Sequence, residues 1–147
     1  LTVLAEVPVG DDPRTVSFTP DGTLALVANR GAGTISFVDV KTMRVVGDLP
    51  VGAQPYGIVA DAQSAYVSLF ATSEIAVIDL AARTVSHRIP VESAPAGLAL
   101  AGVNLYVTHF YSGRVTRVDL STLAPAQAID TSPEANLSQF IALSPEG

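Results

Sequence analysis

Thr34-Ile35-Ser36-Phe37-Val38-Asp39 decides the fold. Forty residues on, Ile75-Ala76-Val77-Ile78-Asp79 repeats the run, and Asp119 closes a third one. Val27, Val67 and Val107 keep the same 40-residue spacing, as do Gly33, Ser73 and Gly113. Pro8-Val9-Gly10, Pro50-Val51-Gly52 and Pro90-Val91-Glu92 recur at intervals of 42 and 40. The two extra residues fall between Phe18 and Leu24, where Thr19-Pro20-Asp21-Gly22 makes a longer turn than Asp61-Ala62-Gln63. Within each run the pattern has period two, which predicts strands rich in β-branched residues and no helix.

Each repeat holds four such runs, split by Gly, Pro, Asn or Asp. In the first they cover about residues 15–19, 24–29, 34–40 and 44–50, here strands a, b, c and d. Four short antiparallel strands per roughly 40 residues is the pattern of a β-propeller blade. Three complete blades are expected over 13–52, 55–92 and 95–130. Residues 1–9 read as strand d of a preceding blade, and 139–143, within 133–147, as strand a of a further one. Closed rings use roughly 4 to 8 blades of four strands, so the expected architecture is an all-β partial ring. Each blade buries its faces against two neighbours, so an open arc exposes apolar surface at both ends. Both chain ends, Leu1 and Ser144-Pro145-Glu146-Gly147, read as cuts through something longer or as processed termini.

Leu26-Val27-Ala28-Asn29, Tyr66-Val67-Ser68-Leu69 and Tyr106-Val107-Thr108-His109 stand where the Tyr-Val-Thr-Asn signature of the YVTN family falls. Pro50-Val51-Gly52 before Pro55, and Thr19-Pro20-Asp21-Gly22, match its other landmarks. Over nearly its whole length the chain resembles these bacterial and archaeal β-propellers. The resemblance implies an exported setting, periplasmic or at the cell surface. It leaves activity open, because the family ranges from binding modules to propellers serving redox enzymes. Only the first repeat keeps the Asn; Leu69 and His109 replace it later.

Lys and Arg total 8 against 14 Asp and Glu, a net charge of −6. That deficit of cations argues against nucleic acid as a partner. With 48% apolar and 15% charged residues the chain is too apolar for disorder. No apolar run reaches the roughly 18 residues that span a bilayer, so no membrane insertion is expected. Zero cysteines remove disulfides, CxxC metal knuckles, CxxCH haem attachment and a thiol nucleophile.

Propeller geometry gathers the d–a and b–c loops on one rim, around the channel mouth, where ligands usually bind by fold-level analogy. The candidates there are Arg14 and Tyr56 after the repeat's Pro, then Asn29, Arg30, Phe70, His109, Phe110 and Tyr111 from the b–c loops. Arg and aromatic side chains on one rim are the usual anchors of a binding surface. Alternatively, Phe110 or Tyr111 folds back over the sheet end. Pro133 aligns with Pro13, Pro55 and Pro95, making Glu134-Ala135-Asn136-Leu137-Ser138 an insertion on the same face and Asn136 a further candidate. Asp39, Asp79 and Asp119 read as turn acceptors, since a catalytic site needs convergent groups. A lone His109 is weak for zinc, and Asp11, Asp12, Asn29 and Glu134 lack any calcium-loop spacing.

No catalytic residue, metal site or cofactor is expected. The leading expectation is a non-catalytic binding module, a segment of a larger exported protein, that takes a protein or small ligand through this rim. Its structural partners are the remaining blades of the same protein or another propeller chain. The alternatives are part of a propeller enzyme, either a metal-dependent lactonase-like hydrolase or a haem- or quinone-linked redox protein, and a structural arc that assembles into a ring.

Overall fold

The computed structural model describes residues 2–130 and 139–144. The first repeat forms β1 (Pro13–Phe18), β2 (Leu24–Asn29), β3 (Thr34–Asp39) and β4 (Arg44–Pro50). The second forms β5 (Pro55–Ala60), β6 (Ser64–Leu69), β7 (Glu74–Asp79) and β8 (Thr84–Pro90). The third forms β9 (Pro95–Ala101), β10 (Asn104–His109), β11 (Arg114–Asp119) and β12 (Ala124–Asp130). Each set makes one four-stranded sheet in chain order, paired antiparallel throughout. We call the sheets blades 1, 2 and 3.

Register repeats with the sequence. Leu24 faces Asp39, Ser64 faces Asp79 and Asn104 faces Asp119. In each blade the ladder to the outer strand slips at the same place, at Phe37/Val38, Val77/Ile78 and Thr116/Val118. A bulge there increases twist and lets the outer strand splay.

The central strands of blade 2 are apolar on both faces because blade 2 is sandwiched between blades 1 and 3. Leu26, Ala28, Ile35 and Phe37 of blade 1 pack on Ile58, Ala65, Val67, Leu69, Ala76 and Ile78 of blade 2. The alternate residues of blade 2, Tyr66, Ile75, Val77 and Ile89, pack on Leu98, Leu105, Val107 and Val118 of blade 3. Most of these side chains are completely inaccessible, and burying each large one stabilises the stack by about 1.5–3 kcal/mol.

The closest approach between blades runs along the inner strands. A Cβ added at Gly57 would lie 2.2 Å from the Ala96 carbonyl oxygen, and one at Gly97 would lie 2.7 Å from that of Gln139. At Gly57 and Gly97 a side chain would collide with the backbone that passes there. Blade 1 carries Thr15 at this position, and its hydroxyl donates to the Tyr56 carbonyl.

On the rim of a–b and c–d turns, the closing aspartates take the turn role expected of them. Asp39 accepts from the Thr42 N–H (2.7 Å), Asp79 from Ala82 (2.8 Å) and Asp119 from Ser121 (2.9 Å). The Thr42 N–H and hydroxyl hold Asp39 below the usual carboxylate range, and the Ser121 hydroxyl and N–H do so for Asp119. Met43, Arg83 and Leu123, four residues past these aspartates, all adopt φ of 53°.

Residues 2–9 and 139–144, expected as outlying strands of neighbouring blades, form no ladder with any described strand. A strand exists by pairing, and no described strand lies beside either segment in the place its own blade would supply. Both still occupy blade-like positions. Val7 and Val9 pack on Ala25, Val27 and Val38 of blade 1, and Gln139 and Phe140 pass beside Gly97.

Candidate functional site

The d–a and b–c loops of each blade are joined by main-chain bonds, which makes one continuous rim. The N–H of Arg30 donates to the Asp12 carbonyl (2.8 Å), that of Phe70 to Gln54 (3.0 Å) and that of Phe110 to Ala94 (2.9 Å). The three accepting residues share a left-handed backbone, with φ of 49°, 56° and 52°. The residue beginning each b–c loop is therefore held at a fixed place over the preceding corner.

On this frame five of the expected rim residues meet. The Tyr56 and Phe70 rings stack at 5.7 Å between centroids with planes 29° apart. Phe70 meets the edge of Phe110 at 5.6 Å and of Tyr111 at 6.0 Å. Phe110 and Tyr111 meet at 5.0 Å, also edge to face. The Arg14 guanidinium lies 5.9 Å from the Tyr56 centroid. The array thus runs from blade 1 through blade 2 to blade 3. Edge-to-face and offset ring pairs add about 0.5–1.5 kcal/mol each beyond their buried area, so the array also ties the blades together at this rim. Tyr56, Phe70 and Phe110 are half-buried, whereas Tyr111 is 67% exposed.

Polar groups surround the rings. The Tyr56 hydroxyl donates to Gln139 Oε1 at 3.1 Å, a partner that reading 139–143 as a plain strand missed. Arg14 and Arg30 both pair with Asp12, at 3.2 and 3.3 Å, and Arg30 also donates to Gln54 Oε1 at 3.2 Å. Arg114 pairs with Glu92 at 2.9 Å and Arg88 with Glu74 at 3.3 Å. These exposed pairs contribute little stability, and two guanidiniums, Arg14 and Arg30, share the single carboxylate of Asp12.

Two candidates lie elsewhere than expected. His109 is not on the rim surface: it is 1% exposed and sits between blades 2 and 3. The Ser93 carbonyl can only accept, so Nδ1 carries the proton and donates to it (3.1 Å); in the neutral ring Nε2 accepts from Thr116 Oγ1 (2.8 Å). Asn29 is fully buried on the face of blade 1 that points away from blade 2. Its Nδ2 donates to Thr34 Oγ1 (3.1 Å) and Ser36 Oγ (2.8 Å), and Ser36 donates to Asp48 Oδ1 (2.6 Å).

Both residues end strand b, where the pleat turns the side chain into the space between blades. Blade 2 has Leu69 there, packed with Ala76. The diagonal neighbour on strand c follows the residue: Ser36 with Asn29, Ala76 with Leu69, Thr116 with His109. Asn136 and the rest of the 134–138 insertion lie outside the described residues. Among the described residues no three His, Asp or Glu side chains converge as a metal site.

No protein-family model matches the chain, and no curated protein matches it in sequence. Solved structures do. Hydrazine synthase of Kuenenia stuttgartiensis superposes over 100% of this chain with a TM-score of 0.88 and 21% identity. Dihydro-heme d1 dehydrogenase NirN, in complex with DHE, superposes over 88% (TM-score 0.70, 18% identity). The WD40 repeats of RRP9 superpose over 83% (TM-score 0.73, 14% identity). All three are β-propeller proteins, and the fold of this chain is that of a propeller arc. The chain spans 43%, 30% and 39% of those chains, less than half of each.

Proposed function

We propose that this arc is a non-catalytic binding module of a larger, exported propeller of the YVTN type, and that it holds a protein or small ligand on the Arg14–Tyr56–Phe70–Phe110–Tyr111 array. The observation that carries the reading is the convergence of these five side chains, drawn from three blades, on the loop rim. Aromatic and Arg side chains on a rigid frame supply contact area at low entropic cost, as binding hot spots do. The ring of Tyr111, 67% exposed, is the most open face of the array. Phe70 is already held by ring contacts with Tyr56, Phe110 and Tyr111, so a ligand meets a preformed surface.

The test is titration with peptide and oligosaccharide panels, followed through the aromatic NMR signals of Tyr56, Phe70 and Tyr111. A ligand that shifts these signals, and that loses about tenfold or more in affinity on Tyr111→Ala, supports the reading. Ligands that shift only the c–d turn rim, or an affinity untouched by Tyr111→Ala, refute it.

A further inference from the structure

Strand a of blades 2 and 3 bulges where it leaves the rim. Pro55 and Ile58 pair with Leu69 and Val67, so Tyr56 and Gly57 together face the single Ser68. Pro95 and Leu98 pair with His109 and Val107, so Ala96 and Gly97 together face Thr108. A bulge leaves an extra residue out of the ladder. Gly57 and Gly97 are both buried, so their N–H groups need another acceptor. Each finds a hydroxyl: the Gly57 N–H donates to Ser68 Oγ at 2.8 Å, and the Gly97 N–H to Thr108 Oγ1 at 2.9 Å.

These bonds join end to end. Ser68 has one hydroxyl proton, and its nearest carbonyl is that of Ala96 in blade 3, at 2.7 Å against 3.5 Å for Gly57. Thr15 of blade 1 likewise donates to the Tyr56 carbonyl. The run goes from the Thr15 hydroxyl to the Tyr56 carbonyl, through that peptide to the Gly57 N–H, and on to Ser68. From Ser68 it passes to the Ala96 carbonyl, through the next peptide to the Gly97 N–H, and on to Thr108. Every donor points the same way along it. Bonds aligned head to tail in an interior polarise and strengthen one another, and here Ser68 is inaccessible and Thr108 4% exposed.

The sequence keeps a hydroxyl at this level in every blade. Blade 1 puts it on strand a, as Thr15 opposite Ala28. Blades 2 and 3 put it on strand b, as Ser68 and Thr108, and have glycine on strand a.

The Tyr56–Gly57 peptide bears directly on the rim. Thr15 holds its oxygen and Ser68 its N–H; with neither in place, the conformational freedom of glycine lets this peptide rotate. Tyr56 carries the ring that stacks on Phe70, lies beside Arg14 and reaches Gln139 through its hydroxyl. We propose that Thr15 and Ser68 are positioning residues of the rim: by gripping both ends of one peptide they fix where the Tyr56 ring stands, and the hydrogen-bond relay carries that constraint from blade 1 to blade 3. The use of this ring by a ligand rests on the binding reading above; its placement does not.

NMR of the ligand-free 147-residue chain is the test, so a failure of the binding reading leaves it intact. In Ser68→Ala the Gly57 amide should exchange about tenfold or more faster, and the Tyr56 ring signals should lose the shift that stacking on Phe70 imposes. Ser68→Thr, which installs the residue of blade 3, should restore both. Thr15→Val keeps the shape of the side chain and removes the donor. The Gly97 amide proton, two blades away, should then move upfield, and Thr15→Ser should return it. Ile78→Val trims the core between blades 1 and 2 outside the relay; it should lower Tm and leave all these signals in place. Where Ser68→Ala does not fold, Thr15→Val also carries the ring test, because it frees the other end of the same peptide. Tyr56 ring signals unmoved by loss of either hydroxyl, or moved as far by Ile78→Val, overturn the positioning role. A Gly97 amide blind to Thr15→Val overturns the relay.

Discussion

Replacing His109 and Thr116 by the pair that blade 2 uses tests how the seam between blades is built. His109→Leu removes the acceptor of the Thr116 hydroxyl, which is 3% exposed and has its Nε2 partner at 2.8 Å. A buried hydroxyl left unpaired costs about 1–3 kcal/mol. Ser93 is an exposed residue, so its carbonyl regains water after the same change at little cost. Thr116→Ala leaves the imidazole Nε2 unpaired and costs about the same. The double variant removes both polar groups and installs the Leu–Ala combination that blade 2 carries as Leu69 and Ala76, both fully buried. Replacing both partners of a buried hydrogen bond with fitting apolar groups is close to neutral, so the double variant should fall within about 1 kcal/mol of the parent.

The cycle should then give a coupling of about 1–6 kcal/mol in magnitude, the sum of the two single losses less that of the double. At about 2–4 °C per kcal/mol for a chain of this size, each single change lowers Tm by about 2–12 °C and the double restores most of it. Urea unfolding followed by circular dichroism, with slopes compared across the four proteins, is the measurement. Additive single effects, or a double variant worse than either single one, would refute the account of His109 as an interior residue held by Thr116.

Gly57→Ala must push Ala96 away from a Cβ placed 2.2 Å from its carbonyl oxygen; a loss of about 1–3 kcal/mol, read by urea unfolding, is expected, and a neutral result would deny the close approach of the inner strands. Burial first, and the hydrogen bond to Asp61 second, push the Tyr66 phenol up to about 12 from an ordinary 10. The folded state then holds the proton more tightly than the unfolded one, so this contribution is full below pH 10 and is lost as pH rises towards 12. Absorbance at about 295 nm should show one of the four tyrosines ionising late, and earlier in Asp61→Asn. Asp39 and Asp119 have the opposite sign: their lowered values contribute stability above the ordinary carboxylate value, lost as pH falls below it. Asp39→Asn should flatten the acid side of a Tm-against-pH curve, and an unchanged curve would count against the turn role.

The strands were legible because alternation and a 40-residue interval are local and repeated. Their registers followed, since the same Val-Asp or Ile-Asp pair closes strand c in every blade. The segments at 2–9 and 139–144 alternate as strands do, but a strand also needs a neighbour, and no described strand pairs with them. At the rim, loop membership put Arg14, Tyr56, Phe70, Phe110 and Tyr111 on one face, but their meeting in one array depends on how three blades stack. His109 and Asn29 were misplaced because a one-residue difference in pleat decides between solvent and interior. A signal existed: the residue seven positions on changes in step, Ser36, Ala76 and Thr116 following Asn29, Leu69 and His109. Gln139 was invisible as a partner of Tyr56 because the two approach only through the ring's curvature.

The corners of the arc carry a consequence for how such a chain diversifies. Asp12, Gln54 and Ala94 share one left-handed backbone, as do Met43, Arg83 and Leu123, although glycine alone adopts it without a penalty of about 1–2 kcal/mol. Six unlike side chains in two shapes mean that the ladder on either side, not the residue, dictates the bend. Each corner is a fitting of standard form with a free choice of tip: a carboxylate at Asp12 for two guanidiniums, an amide at Gln54, a cation at Arg83 seated on a neighbour's ring. Mutation can therefore rewrite the surface one corner at a time while the number and stacking of the blades are inherited unchanged.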